Sequence, residues 1–166
     1  NDINGASKQY LISHEKSKHN INKKNITKIL KDENKLKLTH INTYKNFIKI
    51  IDNSKKQLME KLKFLKNKGK KIHCYGASTK GNVLLQYYGI DNKIINFAAE
   101  RNKAKYNLFT PGSKIKIVSE KFSRSLNPDF YLVLPWHFKK EILKREIKQR
   151  KKGVKFIFPL PKLSII

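Results

Sequence analysis

Lys71 to Asn82, reading Lys-Ile-His-Cys-Tyr-Gly-Ala-Ser-Thr-Lys-Gly-Asn, constrains the fold of this chain more than any other segment. A strand-like run breaks at Gly76 into a tight turn and passes at once into a helical pattern. Gly76, Ser78 and Gly81 keep the spacing of the dinucleotide fingerprint G-x-G-x-x-G, with serine at its middle position. Glu100 lies about 20 residues further on, where that motif places its ribose-binding acid. The middle glycine ordinarily lets the backbone approach a pyrophosphate closely. A serine there either adds a hydroxyl contact or marks a loop that no longer holds a dinucleotide in that way. Both readings place an anionic, nucleotide-type guest at the amino end of a helix.

From Lys71 onward short apolar runs alternate with helical ones, the sequence form of a βαβ sheet. Strands are expected at Lys71–Tyr75, Ile94–Ala99, Lys114–Val118, Asp129–Leu134 and Val154–Phe158. The run at Asp129–Leu134 is nearly all apolar, as in a strand buried on both faces. Helices are expected from Thr79 to Gly89, around Ser119–Leu126, and from Phe138 to Lys152, the last with a charged solvent face and Gly153 as its terminator. The expected fold is therefore α/β: a small, open, mainly parallel sheet flanked by helices.

Before it, Tyr44, Phe47, Ile48, Ile51, Leu58, Leu62 and Leu65 recur at helical spacing behind Thr39, a candidate N-cap. They predict one long amphipathic helix up to Gly69. A lysine-rich helical stretch, Ile21 to Leu38, comes earlier, and Lys8 to Ser13 after the Asn4-Gly5 turn reads as half of a hairpin. The division expected is 1–38, 39–70 for the long helix, and 71–166 for the sheet domain.

Composition narrows the function classes. The formal charge of +26 would suit a nucleic-acid partner, but the lysines spread over the whole length and no aromatic-interleaved basic motif accompanies them. Lysine, asparagine and isoleucine are abundant together, as in an AT-biased genome, so the nucleic-acid reading is disfavoured. The charge still favours anionic small ligands. The one cysteine, Cys74, excludes an internal disulfide and a multi-cysteine zinc site and suits a reducing cytoplasm. No apolar run is long enough to span a bilayer. The chain opens at Asn1 and its one methionine is Met59, so it reads as cut from something longer.

Ligands of open α/β sheets bind beyond the carboxyl ends of the strands, where the strand order reverses. That edge should collect Gly76, Ser78, Thr79, Lys80 and Asn82 from the first loop, Glu100 and Arg101 after the second strand, and Trp136 and His137 after the fourth. Each has a plainer role as well: Gly76 as a turn, Gly81 as a close packing point, Ser78 or Thr79 as a helix cap, Glu100 and Arg101 as surface ion pairs. Trp136 would otherwise be a surface anchor and His137 a solvent residue. No carboxylate near His137 supports a catalytic role, and no catalytic residue is expected in this chain.

Several separate strings agree, in order, with one family. They include Tyr75-Gly76-Ala77-Ser78-Thr79-Lys80-Gly81-Asn82, Glu100-Arg101-Asn102, Thr110-Pro111-Gly112, Ile117-Val118-Ser119-Glu120, Leu134-Pro135-Trp136-His137-Phe138 and Phe156-Ile157-Phe158-Pro159-Leu160-Pro161. From about Thr39 onward the chain resembles the C-terminal, Rossmann-like domain of the S-adenosylmethionine-dependent sugar C-methyltransferases. Asp2 to Ser7 resembles the end of that family's central domain, with Ala6 where a second glycine is usual.

The resemblance implies that residues 1–38 are a remnant of the central domain plus a linker. It implies a parent enzyme with an N-terminal zinc domain and a central domain that binds S-adenosylmethionine and carries the catalytic base. The substrate, a nucleotide-linked keto-deoxysugar, would lie between the central domain and this one. The family's Tyr- and His-rich catalytic string, its zinc cysteines and its S-adenosylmethionine loop are not in this sequence, so neither cofactor is expected to bind here. The alternatives are a free-standing NAD(P)-type domain, with Glu100 on the ribose or Arg101 on a 2′-phosphate, and a basic nucleic-acid module.

Overall fold

A computed structural model describes residues 9–166, in one compact unit that ends at Asp52 and a second that runs Asn53–Ile166. The Asn4-Gly5 turn and the Asp2 to Ser7 string lie outside the described residues. In the first unit, helix α1 (Lys23–Lys35) is capped by Asn22, whose side chain accepts from the Asn25 N–H at 3.1 Å. It buries no residue, and Ile26 and Leu30 stay exposed. Residues 9–13 do not form the expected strand. No second strand among the described residues pairs with them, and an extended segment alone cannot satisfy its backbone groups within the protein.

Helix α2 (Ile41–Asn67) opens slightly later than a Thr39 cap would place it. The Thr43 hydroxyl donates to the Lys37 carbonyl at 2.9 Å and the Tyr44 hydroxyl to the Leu38 carbonyl at 2.6 Å, which fixes the preceding turn. The apolar stripe is buried only in the second half of the helix, at Leu58, Leu62 and Leu65. Tyr44, Phe47 and Ile48 are 48%, 57% and 52% exposed, so the first half of the stripe is uncovered.

The second unit is built on β1 (Ile72–Tyr75), β2 (Phe97–Glu100), β3 (Lys116–Ser119), β4 (Phe130–Val133), β5 (Lys155–Phe158) and β6 (Ser164–Ile165). Their order is β3-β2-β1-β4-β5-β6. The first five run parallel, and β6 closes one edge antiparallel to β5. The order reverses between β1 and β4, so the carboxyl ends of these neighbours splay apart into loops running in opposite directions. Their register is held from Ile72 opposite Phe130 to Tyr75 opposite Val133.

Side chains alternate across this sheet. Tyr75, Tyr131, Val133, Phe156 and Phe158 pack with Ile142 of helix α5 (Lys139–Arg145). On the same face His73 meets Ser123 of helix α4 (Glu120–Ser125). The opposite face receives α3 (Thr79–Tyr88), whose Gly81 sits over Leu134 and whose Tyr88 hydroxyl donates to Ser54 of α2 at 3.0 Å.

The single helix expected from Phe138 to Lys152 is interrupted. A 3-10 turn, Trp136–Phe138, leads into α5, and α6 (Ile147–Lys151) follows a break at Glu146, whose backbone sits at φ −95°, ψ 22°. The cause is the Glu146 side chain, which is buried and bonded inward. Gly153 follows α6 at φ +89° and supplies the expected stop.

Candidate functional site

The β1 loop performs all three plain tasks of its pattern. Gly76 turns the chain at φ +80°, and a Cβ there would meet the Pro135 ring at 3.1 Å, so the loops after β1 and β4 touch. Ser78 is the N-cap of α3, its hydroxyl accepting from the Gly81 N–H at 3.1 Å. Gly81 lets the helix lie against β4, since a Cβ there would stand 2.4 Å from that of Leu134. The serine in the middle of the fingerprint thus spends its oxygen on the helix it begins.

Glu100 braces the same loop. Its carboxylate accepts from the Ala77 N–H at 2.8 Å, the Arg101 N–H at 2.8 Å and the Asn102 N–H at 3.0 Å. Lys105 donates to the Ala77 carbonyl at 3.0 Å and lies 3.9 Å from that carboxylate. Burial would raise the Glu100 pKa, but the three backbone donors and Lys105 together hold it below the usual range. This acid is a fastener between the β1 and β2 loops, and most of its accepting capacity is already used.

A cleft of about 490 Å³ opens beside these loops. Its lining comes from Tyr75 at the end of β1 and the loop to Ser78, from Ala99 and Glu100 at the end of β2 with Arg101 and Lys105 beyond it, from Glu120 at the start of α4, and from Pro135, Phe138, Glu141, Ile142 and Arg145 around α5. The volume is in the range of small-ligand sites. Gly76, Ser78, Glu100 and Arg101 are the expected site residues that line it. Thr79 and Lys80 are exposed on the first turn of α3, and Asn82, Trp136 and His137 are half-buried, all outside the lining. Burial, and then the positive charge of Lys80, hold the His137 imidazole below its ordinary range, so these two stand near each other at the β1/β4 junction. The side-chain oxygen of Asn82 is buried with no hydrogen-bond partner, an acceptor left open at the base of α3.

The inner wall of the cleft is a charge network that sequence reasoning missed. Glu146, 3% exposed, accepts from the Tyr75 hydroxyl at 2.9 Å and from Arg124 at 2.8 Å. Arg145 lies over the Tyr75 ring, donates to its hydroxyl and to Glu120 at 2.6 Å, and reaches Glu146 at 3.3 Å. Arg124 also bonds Glu120 at 3.2 Å. Burial works against both guanidinium charges, yet the two carboxylates raise both pKa values. Burial first, and then the Glu146 charge, push the Tyr75 phenol upward, so it stays a proton donor. The usable signal is scarcity: with 12 acids against 38 bases, Glu120 stands out beside the strand expected at Lys114–Val118, whereas Glu146 lies inside the helix expected from Phe138 to Lys152 and carries no such signal.

Cys74 is fully buried in β1 and burial pushes its thiol upward, which makes it a packing residue. Among the described residues none of the helices is long and apolar enough to cross a membrane. The strand order, the capped β1–α3 loop and the cleft at the order reversal agree with the family resemblance of the motifs, and the chain matches the C-methyltransferase C-terminal domain over residues 2–161.

It belongs to that family. The chain is also 28% identical over 165 residues to the C-methyltransferase NovU of Streptomyces niveus, covering 99% of its own length and 39% of that relative's. A C-methyltransferase C-terminal domain thus spans well under half of the curated relative it matches.

Among the described residues no group of His, Cys, Asp and Glu side chains clusters as metal ligands would, and Cys74 is sealed inside the sheet. A nucleoside held as in a dinucleotide site would need the Glu100 carboxylate, whose oxygens already hold three backbone donors.

Proposed function

We propose that this chain is the substrate-side domain of a longer, cytoplasmic S-adenosylmethionine-dependent C-methyltransferase that acts on a nucleotide-linked keto-deoxysugar. The observation that carries the reading is the cleft at the β1/β4 order reversal, in a domain of the C-methyltransferase C-terminal family. S-adenosylmethionine supplies the methyl group in such an enzyme, and the relative's extra length leaves room for the domains that would bind it and zinc.

This chain's part is to hold the substrate. Gly76 and Ser78 shape the loop, Thr79, Lys80 and Asn82 present the first turn of α3, Arg101 adds a cation after β2, and Trp136 and His137 form the rim after β4. Glu100 keeps the loop in place beneath the ligand. Lys80 meets the diphosphate, where a charge-assisted hydrogen bond contributes about 1.5–3 kcal/mol. In the full-length enzyme, Lys80→Ala should raise KM for the nucleotide sugar about tenfold or more. Unchanged affinity and turnover would refute the assignment.

A further inference from the structure

Six charged side chains line the cleft: Glu100, Arg101, Lys105, Glu120, Glu141 and Arg145. Four are committed within the protein. Glu100 holds three backbone N–H groups, Lys105 holds the Ala77 carbonyl, and Glu120 and Arg145 hold each other at 2.6 Å. Among the described residues the side chains of Arg101 and Glu141 have no partner. They stand on either side of β1, Arg101 directly after β2 and Glu141 in the first turn of α5, which follows β4. A free carboxylate in this cleft repels a wholly anionic guest, and a free guanidinium attracts one.

We infer that Arg101 and Glu141 grip opposite ends of one bipolar ligand: Arg101, inside the cleft, joins Lys80 in meeting the diphosphate, and Glu141 accepts from a hydroxyl or amine on the group attached to it. The inference rests on the substrate-side reading above and narrows it. The guest is a nucleoside diphosphate bearing a donor-rich sugar, and a bare diphosphate fills only half the site. Glu141 then selects for the sugar's donor group. Both side chains are exposed, so their removal leaves the core intact.

The test is calorimetric titration of the 166-residue chain with inorganic pyrophosphate and with uridine diphosphate glucose. Wild type should bind the nucleotide sugar more tightly than pyrophosphate. Arg101→Ala should weaken both about tenfold, in line with a lost charged hydrogen bond. Glu141→Ala should weaken the nucleotide sugar about fivefold and leave pyrophosphate equal or tighter. Lys148→Ala, a cation on α6 away from the cleft lining, controls for general charge and should change neither. If wild type binds neither probe, the substrate-side reading falls and this inference with it. If wild type binds both but the two variants titrate like wild type, or Lys148→Ala weakens binding as much as Arg101→Ala, the assignment to Arg101 and Glu141 alone is overturned.

Discussion

Gly81→Ala sets two known effects against each other. In a helix interior alanine is about 1 kcal/mol better than glycine, so propensity alone predicts a more stable protein. Here the new Cβ would stand 2.4 Å from the Cβ of Leu134 and 3.0 Å from its Cγ and Cδ1. Leu134 is fully buried, and the closest atom is its Cβ, which no rotamer change can move. The helix must therefore lift off the sheet. Overpacking of this kind costs about 1–3 kcal/mol, and with Leu85 and Tyr88 also losing contact the upper half of that range applies. The expected net is a loss of about 1–2 kcal/mol after the propensity gain. Urea unfolding followed by circular dichroism measures it. Leu134→Ala in the same chain should not rescue the variant, since it retains the clashing Cβ. A Gly81→Ala protein as stable as wild type, or more so, would refute the close α3–β4 approach and the loop geometry that depends on it.

Glu146→Ala removes the acceptor shared by Tyr75, Arg124 and Arg145 beneath the cleft. Arg124 and Arg145 keep Glu120 and are 32% and 37% exposed, so the loss should be that of charged hydrogen bonds, about 1.5–3 kcal/mol in denaturant unfolding, and a cost under about 0.5 kcal/mol would contradict the network. His73 is 3% exposed, and burial, assisted by Lys71, lowers its pKa from 6.5 to about 4. The unfolded chain takes up its proton first, so this contribution is whole above pH 6.5 and is lost as the pH falls toward 4. About 2 kcal/mol should disappear between roughly pH 7 and pH 5, a slope that His73→Gln should flatten. Cys74 should react with a thiol reagent only as the protein unfolds; rapid labelling of the native chain would show that β1 is not sealed.

The parts of the fold that were legible are those written locally. Gly76, Ser78 and Gly81 act within one strand, one turn and one helix, so their spacing was sufficient to expect the turn, the cap and the packing contact. The apolar run of β4 likewise announces a strand covered on both faces. The inner wall of the cleft is different, because Tyr75 and Glu146 are 71 residues apart and meet only once the sheet has assembled. Charges at helical spacing in α5 and α6 look like a solvated face, and periodicity cannot show that Glu146 turns inward and breaks the helix. Of the strand expected at Lys8 to Ser13, the described residues 9–13 fail to form one for a related reason. Its pattern is local, but a strand exists only with a partner.

The central claim is that the carboxyl edge at β1 and β4 holds a nucleotide sugar. Amide chemical-shift mapping of the labelled chain during titration with uridine diphosphate glucose tests it most directly. The predicted result is saturable shifts at Gly76 to Lys80, at Arg101 and at Trp136 to Glu141. Shifts confined to the basic surface of α6, or spread without saturation over the lysines, would contradict it.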